Sequence, residues 1–226
     1  LALAAGDYRV HQVLAIDRPL TVQGPRRGSA VITFSRPTLF EIRPGGDLRL
    51  SALTVSGRDA PDAAGNAVIR TGPGGSAANY RLILENVQLR ELHGNPGFDV
   101  IHTGKDSLAD LIELLGVRAE DISGSVLAAA AETDDHGTYN AEQVRISHSR
   151  FRRIDGPAVD LYRGGTDEST FGPRLEVAHS QFERVAPGPA RRCGCAASSR
   201  PSSPTTASST APACSSPIAS ASRGCW

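Results

Sequence analysis

The side chains of this 226-residue chain that could do chemistry gather in four polar segments. The first holds Arg70 and Asn79. The second holds His102, Lys105, Asp106 and Asp110. The third holds Glu132, Asp134, Asp135, His136, Tyr139, Asn140 and Glu142, and the fourth Arg163, Asp167 and Glu168. Thr71, Thr103, Thr133 and Thr166 mark the segments at nearly even spacing, so a repeating fold would stack all four on one edge. Arginine pairs bidentately with carboxylates, so Arg70 and Arg163, with Lys105, Tyr139, Asp167 and Glu168, form a candidate binding set for an acidic ligand. Lys105 is the sole lysine. It, His102, His136 and Tyr139 are candidate proton acceptors, and Lys105, Tyr139 and Arg163 are the candidate catalytic set. Glu132, Asp134, Asp135 and Glu142 are candidate calcium ligands, because that ion takes several oxygens, although their spacing matches no calcium loop.

The same residues have a structural use. Charges on successive turns of a repeating fold can pair, as Lys105 with Asp135, or Arg163 with Asp135 or Glu142. The body is net acidic, so its few cations have partners at hand. The expectation is that Arg163 ties loops together.

A repeat positions these loops. Leu82-x-Leu84-x-Asn86-Val87-x-Leu89-x-x-Leu92 recurs as Ile112-x-Leu114-x-Gly116-Val117-x-Ala119-x-x-Ile122. It returns as Val144-x-Ile146-x-His148-Ser149-x-Phe151-x-x-Ile154 and again as Leu175-x-Val177-x-His179-Ser180-x-Phe182-x-x-Val185. A weaker copy begins at Leu48-x-Leu50. Alternating apolar residues predict strands, and a period near thirty predicts stacked turns of two or three strands. The predicted fold is all-β, a single-stranded right-handed parallel β-helix. Phe151 and Phe182 belong in its core, and His148 and His179 read as residues stacked at one turn. Val159 to Leu161 is a strand feeding the loop of Arg163, Gly164 and Gly165, which closes at Gly172-Pro173.

Composition bounds the rest. Lys+Arg and Asp+Glu balance at 24 each. The four arginines at 191, 192, 200 and 223 face no acid in 187–226, so residues 1–186 carry 20 basic and 24 acidic residues, a net of −4. No broad basic field points to nucleic acid, and no signal peptide or membrane span is visible. All four cysteines lie beyond residue 192. Without a starting Met, the chain reads as part of something longer.

The repeat pattern ends at Val185. Residues 1–186 are read as the β-helix domain and 187–226 as a low-complexity Ala/Ser/Pro/Cys tail, disordered because it cannot bury a core. It also has the composition of a GC-rich gene in a shifted frame. Deleting 187–226 is expected to leave the thermal transition unchanged. A large fall would show that the tail packs on the body.

Leu161-Tyr-Arg-Gly-Gly-Thr-Asp-Glu-Ser-Thr-Phe-Gly-Pro173 and Glu132-x-Asp-Asp-x-Gly-x-Tyr-Asn-x-Glu142 resemble the C-terminal β-helix domain of polysaccharide lyase family 6, alginate lyases related to chondroitinase B. Phe40-Glu41-Ile42, Gly45-Gly46-x-Leu48 and Asn66-x-Val-Ile-Arg-Thr71 fit the same domain. The resemblance implies a secreted or periplasmic parent enzyme that cleaves alginate, an acidic polysaccharide, by β-elimination. The family's catalytic Lys and Arg and its calcium ligands belong to an N-terminal β-helix. No Lys-Ser-x-x-Asn motif stands here to receive them. The implied role is an accessory half, without cofactor of its own, partnered by that catalytic domain. The other reading is a self-sufficient polyuronate lyase working from Lys105 and Arg163.

Overall fold

The computed structural model describes residues 1–71, 79–132, 135–166 and 172–186. The first compact unit is Leu1–Pro189; the second, Ala190–Trp226, lies outside the described residues, and the expectations for the tail lie there with it.

The chain winds through β1 (Gly6–Val10), β2 (Leu14–Ile16), β3 (Leu20–Gln23), β4 (Ala30–Phe34), β5 (Thr38–Ile42) and β6 (Leu48–Ser51). It continues through β7 (Thr54–Ser56), β8 (Ala67–Thr71), β9 (Tyr80–Glu85), β10 (Gln88–Leu92), β11 (Asp99–His102) and β12 (Ala109–Leu115). The later strands are β13 (Arg118–Ile122), β14 (Leu127–Ala129), β15 (Gln143–Ser147), β16 (Arg150–Ile154), β17 (Val159–Leu161), β18 (Arg174–Ala178) and β19 (Gln181–Val185). Every third strand pairs in parallel with the next. Sheet I runs β1-β4-β7-β10-β13-β16-β19, sheet II β2-β5-β8-β11-β14-β17 and sheet III β3-β6-β9-β12-β15-β18. No helix occurs among the described residues. The fold is the expected all-β parallel solenoid, with three strands in every turn.

The repeat motif explains itself in the backbone. Leu82 and Leu84 point inward from β9, and Asn86 then turns the chain with a left-handed φ of 53°. Gly116, His148 and His179 occupy the same corner with φ of 63°, 51° and 51°. Asparagine and glycine tolerate this region; histidine does so less readily. After the corner, Val87 and Leu89 again point inward. The x-x gap before Leu92 breaks the two-residue period, and a second left-handed residue absorbs it. Glu91, Asp121, Arg153 and Arg184 have φ of 54–59° and drop out of the ladder, as Arg90↔Glu120 passes directly to Leu92↔Ile122.

The core is a set of columns along the axis. Leu50, Leu84, Leu114 and Ile146 lie in register on successive turns of sheet III, each at most 1% exposed. On sheet I, Phe151 is fully buried and pairs edge to face with Phe182 at 5.2 Å. Where the corner column changes from Val87 and Val117 to Ser149, the buried hydroxyl accepts from Val117 N–H at 3.1 Å and donates to Leu114 O. A polar residue replaces valine there without leaving an orphan group. Burial fades at the last described turn, where Val177 of β18 is 47% exposed and Phe182 is partly covered.

The outer face of sheet I carries an ion-pair ladder. Arg152 and Arg153 bond Glu120, and Arg153 also forks onto Asp121 at 2.5 and 2.8 Å. The hydrogen bonds from Arg152 and Arg153 hold the Glu120 carboxyl below its usual range, and Arg153 does the same for Asp121. Depressed carboxyl values stabilise the fold above the ordinary carboxylate range, and the contribution is lost as pH falls through the folded values. The thermal midpoint should therefore drop between roughly pH 5 and pH 3 less steeply in Arg153→Gln than in the unaltered chain. Equal slopes would show that the ladder contributes nothing. Both carboxylates are about 40% exposed, so the difference should be small.

Candidate functional site

The four polar segments do stack on one edge, and hydrogen bonds join each to the next. Gly104 N–H donates to Thr71 Oγ1 at 2.7 Å, and Asn79 Nδ2 to Asp110 Oδ1 at 2.5 Å. Asp106 N–H donates to Glu132 Oε1 at 2.7 Å, and Thr166 N–H to Asp135 Oδ1 at 2.5 Å. At the centre sits Asn140, fully buried. Its amide group donates to Gly104 O and Ser107 O at 3.0 Å each and to Glu132 Oε1 at 3.3 Å, while its oxygen accepts from Ala131 and Glu132 N–H.

The candidate residues are therefore divided among separate partners. Glu132 is 5% exposed and turns its carboxylate on Asp106 and Asn140. Asp135 caps Thr166 and fills the space over Gly165, where a Cβ would lie 1.9 Å from its Oδ1. Gly165 also has φ of 121°, so glycine is required there by both backbone and space, and Gly164, with φ of 93°, by its backbone. Glu142 accepts from the Tyr139 hydroxyl at 2.8 Å. Partial burial, then that bond and the Glu142 charge, push the phenol above its usual range. Its proton is engaged with Glu142 in this arrangement. Glu132, Asp135 and Glu142 each accept from different groups, and no three metal-binding side chains converge among the described residues. Asp134, Asp167 and Glu168 lie outside the described residues.

The cations differ from one another. Arg70 bonds the Gly65 carbonyl and stands in register with His102 on the neighbouring strand. His102 Nδ1 is held at 2.8 Å by Asp99 Oδ2, and Asp99 also accepts from Ser125 N–H at 2.7 Å. Asp99 is absent from the candidate set read above; only the i, i+3 spacing to His102 at the end of a strand hinted at it. Lys105 is exposed and makes no ion pair among the described residues, so the expected Lys105–Asp135 pair does not form. The Thr166 N–H has taken the Asp135 carboxylate instead. Arg163 is half-buried and engaged with its surroundings, and Gly172 packs against its backbone. Because the site is only half-buried, Arg163→Ala should cost ~1–2 kcal/mol. An unchanged melt with lost polysaccharide binding would instead mark Arg163 as a ligand contact.

A second concavity lies on the outer face of sheet I. It is an open groove of about 490 Å³ bordered by Arg118, His148, Arg150, Arg152, His179 and Gln181. The two imidazoles stack with centroids 5.0 Å apart, as the repeat alignment suggests. The arginines beside them are not among the sequence candidates, because outward strand positions follow no apolar pattern. A 32-residue repeat does place Arg118 against Arg150, and that signal was available.

No helix among the described residues is long and apolar enough to cross a membrane. No family model matches the chain, and neither does any curated protein. Among solved structures it is similar to the PL6 family alginate lyase AlyGC, with a TM-score of 0.79 and 40% identity over 83% of this chain and 26% of that one. A mutant of the same enzyme matches with a TM-score of 0.78 and 40% identity over 81% of this chain and 25% of that one. The chain thus spans about a quarter of the length of the structures it matches. Sharing both fold and two residues in five with such an enzyme, this β-helix is a relative of the PL6 family.

Proposed function

We propose that this β-helix is the accessory portion of an alginate lyase acting by β-elimination, serving substrate binding or assembly with a catalytic β-helix domain. The observation that carries the reading is the 40% identity to an alginate lyase over most of this chain but only a quarter of that enzyme. The chemistry of the loop edge agrees with it. In β-elimination a base takes the C5 proton of the uronate, the C4–O bond breaks, and a C4=C5 double bond forms while the leaving oxygen gains a proton. The uronate carboxylate must be neutralised for that proton to leave. The Tyr139 hydroxyl donates to Glu142, and among the described residues Lys105 has no hydrogen-bonding group to orient it. Glu132, Asn140 and Asp135 are occupied in holding the loops.

The test is to incubate the purified chain with alginate and follow the ultraviolet absorbance of unsaturated ends, alongside binding to the same polymer. The expected result is binding without turnover. Turnover that disappears in Lys105→Ala would overturn the accessory reading and establish the self-sufficient lyase.

A further inference from the structure

On the outer face of sheet I, one column of ladder positions alternates in charge and its neighbour does not. In the column Arg90, Glu120, Arg152, Glu183, charges alternate from turn to turn, and Arg152 bonds Glu120. Sheet III behaves likewise where Arg145 faces Glu176 at 3.5 Å. In the neighbouring column, Gln88, Arg118, Arg150 and Gln181 are in register, so two arginines stand opposite each other on adjacent strands. Strands lie ~4.8 Å apart, and like charges in that position are destabilising. Arg118 is exposed, and its side chain has no hydrogen-bond or ion-pair partner among the described residues. Arg150 has one loose contact, 3.3 Å to Glu183, with its side chain 54% exposed. A local rule broken without structural gain is what a binding surface looks like.

The groove supplies the rest of such a surface. Its lining carries three arginines against the single carboxylate of Glu120. His148 and His179 form one wall at the solenoid corner, held by the left-handed backbone that a smaller residue would adopt at lower cost. Imidazole and the Gln181 amide offer hydrogen bonds to hydroxyl groups, and the guanidinium groups offer forks to carboxylates. The columns run along the solenoid axis, so an extended chain laid along them meets a new side chain every ~4.8 Å.

We propose that this groove binds a carboxylate-bearing polysaccharide strand lying along the solenoid axis, with Arg118 and Arg150 as its carboxylate contacts and His148, His179 and Gln181 meeting its hydroxyls. The proposal rests on the alginate-lyase reading for the class of polymer. It places the contact on sheet I, away from the loop edge.

Affinity electrophoresis of the chain in gels containing alginate, or the neutral polymer dextran, tests it. The unaltered chain should be retarded by alginate, not by dextran, and less so as salt is raised. Arg118→Gln should weaken retardation ~tenfold, the equivalent of one good contact. It should melt no lower than the parent, because it removes a repulsion and no bond. Arg81→Gln, on β9 of sheet III, makes the same charge change and should bind as the parent does. If Arg118→Gln and the Arg118→Gln/Arg150→Gln pair both bind alginate like the parent, the groove is not the site, while the polymer reading stands. If alginate does not retard the unaltered chain, the groove and the substrate-binding role both fall, and the assembly role is what is left of the accessory reading.

Discussion

Replacing Phe151 by alanine should lower the unfolding free energy by ~3–5 kcal/mol, the range for a large buried aromatic. Phe151 is fully buried in β16, with the small Ala119 in register on one side and Phe182 on the other. Ala119 cannot expand into the space, and Phe182 is held by its own strand, so the cavity should remain largely open. Loss of the edge-to-face contact at 5.2 Å adds to the cost. Urea unfolding followed by circular dichroism gives the number. A cost under about 1 kcal/mol would mean that the turn collapses around the truncated side chain. Phe182→Ala provides the comparison. That ring is only partly covered, so its loss should cost visibly less.

The second large effect is expected at Asn140. Its side chain makes five hydrogen bonds, to Gly104 O, Ser107 O, Glu132 Oε1 and the N–H groups of Ala131 and Glu132. Alanine would leave buried donors and acceptors without partners, each costing about 1–3 kcal/mol. Water entering the vacated space would recover part of this, so the expected total for Asn140→Ala is ~3–5 kcal/mol. Asn140→Asp separates shape from hydrogen bonding. It keeps the volume but removes the donors and turns oxygens toward two carbonyls and the Glu132 carboxylate. It should be at least as damaging as alanine. If aspartate is tolerated, the loops do not depend on that hub. Limited proteolysis should then find no new cleavage around 102–110 or 131–142.

Asn140 also shows where sequence reading succeeds and stops. The period near thirty made the turns visible, because inward positions such as Leu84, Leu114 and Ile146 must be apolar on every turn. The corner was legible too, since Asn86, Gly116, His148 and His179 align. The reason for the x-x gap before Leu92 was not. It requires a left-handed residue, and Glu91, Asp121, Arg153 and Arg184 carry no composition signal for that geometry. The loop edge was placed correctly, but the partners within it were not. The chemistry of Asp135 suits Lys105 as well as it suits a backbone amide. Only the path of the chain brings the Thr166 N–H within 2.5 Å while Lys105 turns to solvent. Outward arginines on sheet I were the least legible: the repeat aligns Arg118 with Arg150, but nothing in one sequence distinguishes a solubilising arginine from one that meets a ligand.

The fading of burial through β17, β18 and β19 bears on motion as well as packing. In a solenoid each turn is held only by its neighbours, so opening proceeds from the ends. Amide protons of β18 and β19 should exchange earliest, those of β16 later and those of β10 last, a graded protection pattern along the axis. The sheet I groove crosses β13, β16 and β19, running from well-buried strands to the less buried β19. A polymer lying across all three would act as a splint, and the protection it adds should be concentrated on β19, far from the most stable part of the molecule.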